Sequence, residues 1–248
     1  MKKTLMASAL VIALCASIAV PAWAAPSADE PTAGTPKLAA QQTQSGKWTI
    51  NKKAGTYVTK AQKKLFKKAT AGMAGVSYTP VFVMSTQIVE GTNYAYFCKA
   101  KTATSKPVTS WKVVIVNKSL SGKAKVVTVN NFNYKKVSTL NNPPKSSKMS
   151  GAWKNVAKMS KCKSKVLPKE ARTAFTKATK KYTGVQLNAL VLISKQTVSG
   201  MNYRYLCSGV IPGKKAVNYY VVDVYKNLKG KAKITACDPI NTEKYLNV

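Results

Sequence analysis

Two kinds of apolar pattern run along this chain. Over 59–71 and 168–182, Ala, Leu and Phe recur at helical spacing among lysines, which predicts helices Thr59–Ala71 and Pro168–Tyr182, the second opened by a proline suited to a first helical position. Elsewhere, runs rich in β-branched and aromatic residues predict strands: Val81–Thr86 and Leu190–Lys195, Trp111–Asn117 and Val217–Tyr225, Lys123–Asn130 and Lys231–Cys237. Turns carrying Gly122 and Gly230 join the later strands, and a short strand near Trp48 or Trp153 precedes each helix. Hairpins are expected at Gln87–Gly91 and Gln196–Gly200. After each of these the chain alternates so that Tyr94, Tyr96 and Cys98, or Tyr203, Tyr205 and Cys207, share one face.

The elements come in the same order twice, and so does a phrase. Gln87-Ile88-Val89-Glu90-Gly91-Thr92-Asn93-Tyr94 returns as Gln196-Thr197-Val198-Ser199-Gly200-Met201-Asn202-Tyr203, and Leu120-Ser121-Gly122-Lys123 returns as Leu228-Lys229-Gly230-Lys231. The chain is therefore a tandem duplication of a domain-sized unit. Repeat 1 is placed at 45–136 and repeat 2 at 150–248, joined by a linker at 137–149 rich in Ser, Lys and Pro. One helix followed by an antiparallel meander predicts an α+β class, with each repeat a helix packed on a four- to five-stranded antiparallel sheet. With a helix and meander of its own, each half is expected to fold independently.

Lys2 and Lys3, an apolar run from Leu10 to Val20 and Ala22-Trp23-Ala24 have the three-part form of a secretory signal peptide over 1–24, followed by an Ala-, Pro-, Thr- and Gln-rich spacer over 25–44 expected to be disordered. The expected location is periplasmic or secreted, with no membrane span. Formal net charge is +34, and arginine occurs only at Arg172 and Arg204. Lysine lacks the bidentate fork that reads base edges, so sequence-specific nucleic-acid recognition is not expected. A solvated surface and non-specific attraction to an anionic polymer or surface both remain open.

Histidine is absent, which removes Ser-His and Cys-His nucleophiles and histidine-ligated metals. Of the seven acids, Asp29 and Glu30 lie in the tail after the leader and the other five have no matched placement in the two repeats, so a carboxylate pair for acid–base hydrolysis has no evident home. The chain is expected not to be an enzyme and to need no cofactor or metal.

Gln-x-Val-x-Gly at a hairpin, entering Asn-Tyr, with one helix before it and two strands after it, occurs in repeat 2, and repeat 1 carries the same form. In this the chain resembles the cystatin family of cysteine-protease inhibitors over both repeats. The resemblance implies two tandem cystatin-like domains. It also implies a wedge, built from a trunk glycine, the first hairpin and a second hairpin, that blocks a papain-like active-site cleft reversibly. The corresponding residues are Gln87, Ile88, Val89 and Gly91 with Gly46 as trunk, and Gln196, Thr197, Val198 and Gly200 with Gly151. Valine offers an apolar knob, glutamine an amide for the cleft and glycine a tight tip. The tip is expected to support no core, so bulky substitutions there should spare the fold. The second hairpins, at 117–122 and 225–230, lack the Pro-Trp pair of many family members. The implied function is that of an exported two-headed inhibitor of papain-like cysteine proteases. The alternative is a lysine-rich, non-inhibitory module of the same fold that binds anionic surfaces or polymers.

Beyond the leader the cysteines are Cys98, Cys162, Cys207 and Cys237, an even number in a chain expected to be exported. Cys98 and Cys207 read as small buried core residues. Cys207 and Cys237 fall on non-adjacent strands, beyond disulfide reach, which leaves Cys162 with Cys237 as the local pairing.

Overall fold

The computed structural model describes residues 46–51, 58–133, 151–156 and 167–247. The leader and spacer, the linker at 137–149 and Cys162 lie outside the described residues. Repeat 1 supplies β1 (Thr49–Ile50), α1 (Lys60–Thr70), β2 (Val76–Val89), β3 (Gly91–Thr102), β4 (Thr109–Lys118) and β5 (Ala124–Asn131). Repeat 2 supplies β6 (Lys154–Asn155), α2 (Lys169–Thr179), β7 (Gln186–Val198), β8 (Gly200–Val210), β9 (Val217–Lys226) and β10 (Ala232–Pro239), then a short α3 (Glu243–Leu246). Each repeat forms one antiparallel five-stranded meander, ordered β1-β2-β3-β4-β5 and β10-β9-β8-β7-β6. The strands are longer than their apolar cores. β2 and β7 each carry two bulges, at Pro80/Phe82 and Val83/Ser85 and again at Ala189/Val191 and Leu192/Ser194.

The expected α+β class, with two tandem helix-on-sheet domains, is overturned. Among the described residues the protein is mostly β, and helix makes up only about 15% of them. One continuous cluster holds Phe82, Met84, Phe97, Trp111 and Ile115 from the first sheet together with Val191, Ile193, Leu206, Tyr219 and Val221 from the second. The two sheets thus bury their inner faces on each other. The reason lies in strand composition. Val113–Val116 and Tyr219–Val224 are buried without interruption, so both faces of these strands are covered, where a sheet lying on a helix alone would alternate. The outer faces are covered by the helices: Phe66 of α1 packs with Val83, Tyr96, Cys98 and Val114, and Phe175 of α2 packs with Leu192, Tyr205, Cys207 and Val222. α1 starts with a capping box in which the Thr59 hydroxyl accepts from the Gln62 amide and the Gln62 side chain accepts from the Thr59 amide. α2 has no side-chain cap at Pro168.

The duplication is also a symmetry. Trp111 Nε1 donates to the Ile193 carbonyl oxygen at 3.0 Å, and Tyr219, which holds the position of Trp111 in repeat 2, donates its hydroxyl to the Met84 carbonyl oxygen at 2.8 Å, Met84 being the counterpart of Ile193. The same surface of each repeat meets its own copy, as in a two-fold dimer fused into one chain. Asn155 Nδ2 also crosses the interface, to the Thr109 carbonyl oxygen at 2.9 Å. In sheet register these contacts set the strand starts of β4 and β9 against the middle and hairpin side of β2, β6 and β7. α3 closes one side: Tyr245 and Leu246 enter the shared core, and the Tyr245 hydroxyl donates to the Asn133 carbonyl oxygen at 2.7 Å. The two repeats thus share one core.

Candidate functional site

At the hairpin end of the first sheet, four stretches of chain lie side by side. The Gly46 amide donates to the Ile88 carbonyl oxygen at 2.7 Å, Ile88 pairs with Thr92, Thr92 with Lys118, and Lys118 with Ala124. Trunk, first hairpin and second hairpin therefore form a row, with adjacent strands about 4.8 Å apart. Repeat 2 builds the same row: the Gly151 amide donates to the Thr197 carbonyl oxygen at 3.0 Å, Thr197 pairs with Met201, Met201 with Lys226, and Lys226 with Ala232. A Cβ on Gly46 would stand 2.6 Å from the Ile88 carbonyl oxygen, so a side chain at this position would push the trunk off the hairpin.

The tip glycines are structural. Gly91 has φ +103° and Gly200 φ +123°, and a Cβ on them would lie 2.1 Å from the Lys118 carbonyl oxygen and 2.3 Å from the Lys226 carbonyl oxygen. The first hairpin is thus pressed against the end of the next strand, which only glycine permits. The expectation that this tip tolerates bulk without cost to the fold is corrected by this contact.

The motif glutamines also have partners within the chain. Gln87 Oε1 accepts from Asn93 Nδ2 at 2.8 Å, and Asn93 Oδ1 accepts from Asn117 Nδ2 at 2.8 Å, an amide ladder across β2, β3 and β4. Gln196 Oε1 accepts from Asn202 Nδ2 at 2.8 Å, and its Nε2 donates to the Gly151 carbonyl oxygen at 2.8 Å, tying the trunk to the hairpin. Val89 and Val198 are half-buried. The exposed positions of the first hairpins are Ile88, 66% exposed, and Glu90 in repeat 1, and Thr197 and Ser199 in repeat 2.

The second hairpins supply residues that the sequence reading did not single out. Leu120 and Leu228 stand at the turns, each 85% exposed. Each turn is closed the same way, by Ser119 amide to Lys123 carbonyl oxygen and Asn227 amide to Lys231 carbonyl oxygen, both at 2.9 Å. A leucine repeated at the first position of a polar turn was the available signal. A lone exposed leucine is ordinary, but two copies in register, each beside a first-hairpin tip, make a pair of apolar knobs.

Reactive groups lie elsewhere. Burial pushes the thiols of Cys98 and Cys207 well up from the ordinary range, and they pack under the helices. Burial also raises the Cys237 thiol and pushes Tyr182 up to about 12, where the two side chains share a hydrogen bond. The Cys162–Cys237 pairing involves a residue outside the described ones. Among the described residues, no group of three or more His, Cys, Asp or Glu side chains gathers in a way that could hold a metal. Asp223 sits inside the sandwich in a bidentate pair with Arg204, at 2.7 and 2.6 Å, and Arg204 lies 4.2 Å over the ring of Trp153. The lysines of α1 project into solvent. No helix among the described residues is long and apolar enough to cross a membrane.

No protein-family model matches the chain, and no curated protein sequence matches it.

Proposed function

We propose that this protein is an exported, two-headed inhibitor of papain-like cysteine proteases that acts by reversible occlusion of the active-site cleft, with wedges similar to those of the cystatin family. The observation that carries the reading is the row at each hairpin end: trunk glycine, first-hairpin tip and second-hairpin tip side by side, with Ile88 and Leu120 projecting from one row and Leu228 from the other. A row of backbone turns topped by apolar side chains suits insertion into a groove, because it offers apolar area to bury without a reactive group. The amide ladder behind it holds the loops in the docking shape and lowers the ordering cost of binding. The motif glutamines shape the wedge here, and the contact surface falls to Ile88, Leu120, Leu228 and the exposed backbone. Residues 1–24 supply the export signal in this reading.

Titrating the chain from residue 25 onward into papain, with a small peptide substrate as reporter, tests this. Substrate cleavage is expected to fall to baseline. Leu120→Asp with Leu228→Asp should weaken inhibition by at least about tenfold, since burying one leucine side chain contributes roughly 1.5–3 kcal/mol. The unfolding midpoint should stay in place, both side chains being exposed. Full papain activity in excess protein would remove the reading. Inhibition that collapses as salt is raised would assign it to the lysine charge instead.

A further inference from the structure

The outer face of the first sheet holds a cleft beside the wedge row. A cavity of about 270 Å³, open to solvent, lies between α1 and the β4–β5 turn, where Lys64, Lys68 and Lys118 meet Ala61, Leu65 and Tyr94. Lys64 and Lys68 are one helical turn apart on the same face of α1, and Lys118 ends β4, so the fold brings three cations to one place from two elements. None of the three has a hydrogen-bond or ion-pair partner among the described residues.

Repeat 2 provides an internal comparison. The counterparts of Lys64, Lys68 and Lys118 are Thr173, Lys177 and Lys226, and those of Tyr94 and Gly122 are Tyr203 and Gly230. There Lys177 Nζ donates to the Gly230 carbonyl oxygen at 3.2 Å, and Tyr203 is buried at 4% exposure, whereas Tyr94 is half-exposed. In the second copy the helix lysine bridges to the turn. In the first copy one more lysine lines the site and the bridge is not made.

We propose that this cleft in repeat 1 binds an acidic sugar residue, a pyranose ring bearing a carboxylate or sulfate, within an anionic polysaccharide. The three ammonium groups take the anionic group as point charges. Ala61, Leu65 and the ring of Tyr94 give apolar surface that a hydrated inorganic ion would leave unused, and an apolar wall with a few convergent polar groups is the usual make-up of a small-molecule site. The cavity lies just below the range of about 300–1,000 Å³ that drug-sized ligands occupy, which suits a single ring, and its open side lets a chain enter and leave. The long-range field of a +34 chain would deliver such polymers to it.

Calorimetric titration of the full chain at physiological salt tests this. The probes are a disaccharide of glucuronate and N-acetylglucosamine, a neutral disaccharide of N-acetylglucosamine, and inorganic sulfate. The acidic disaccharide is expected to bind saturably at one site per chain, the neutral one not to bind, and sulfate to compete only at concentrations at least about tenfold higher. Lys64→Gln with Lys68→Gln, and separately Lys118→Gln, should each cut affinity at least about tenfold. Lys177→Gln and Lys125→Gln, which change the charge by the same kind of step elsewhere, should leave it within about twofold. Saturable binding lost equally in the Lys177 and Lys125 variants would overturn the proposal in favour of general lysine attraction. Sulfate competing at equal concentration would overturn the sugar class, and no saturable binding would overturn the site.

Discussion

Gly91 and Gly200 hold the two first hairpins against the ends of β4 and β9, with backbone angles and contacts that no Cβ can meet. Gly91→Ala and Gly200→Ala should each destabilise the protein by about 1–3 kcal/mol, the range for a strained backbone position, measured by urea unfolding. Gly122→Ala, at φ +78° with nothing within 4 Å of the added carbon, should cost only about 1 kcal/mol. Equal losses at all three would show that the close approach carries no energy. These glycines were legible from the sequence as tip residues. The roles of Gln87 and Gln196 were not, because their partners Asn93, Asn117, Asn202 and Gly151 arrive from other strands and from the trunk, and only the register reveals them. Leu120 and Leu228 escaped because exposure cannot be read from a leucine itself.

At the scale of elements, the two sheets differ where their inner faces meet. Arg204 faces Asp223 across β8 and β9, and the equivalent positions in repeat 1 are Ala95 facing Ile115. Asp223 is 9% exposed, and burial raises its carboxyl while Arg204 opposes that rise. Asp223→Ile alone leaves the Arg204 charge inside the sandwich and should destabilise by about 3–5 kcal/mol, the cost of breaking a buried pair. Arg204→Ala with Asp223→Ile copies the arrangement of repeat 1 and should recover most of that loss, as seen in thermal or urea unfolding. A double variant as unstable as the single one would show that the two sides of the interface do not tolerate the same filling. Helices α1 and α2, the meander order and the hairpin turns were legible from periodicity and the repeated phrase, whereas the short α3 was not foreseen. The covering of both sheet faces was not drawn from it, although its signal was present in the uninterrupted apolar runs 113–116 and 219–222. A helix burying one face leaves the other to be explained, and those runs had no alternation to offer solvent.

For the whole molecule, the consequence is one core shared by two repeats. Separated halves, 45–136 and 150–248, would each expose the face bearing Phe97 and Trp111, or Leu206 and Tyr219. Each half alone should be aggregated or self-associated, and mixing the two should restore a single species with one cooperative unfolding transition, followed by size-exclusion chromatography and circular dichroism. Two monomeric, independently cooperative halves would contradict the shared core. The sequence pointed to two domains because a duplicated unit of this length can stand alone, and what it could not display is that the same surface of each copy is complementary to itself.

That symmetry also bears on function, because each copy carries a wedge row of its own. The most direct measurement is the mass, by light scattering on a size-exclusion column, of the complex between the chain from residue 25 onward and an excess of papain whose active-site cysteine is blocked by a small methylthio group. The two-headed wedge predicts a complex of one chain with two papain molecules, reduced to one by Leu120→Asp or Leu228→Asp alone. A chain that elutes with no papain bound would contradict the inhibitory reading, and a complex holding only one would contradict its two-headed form.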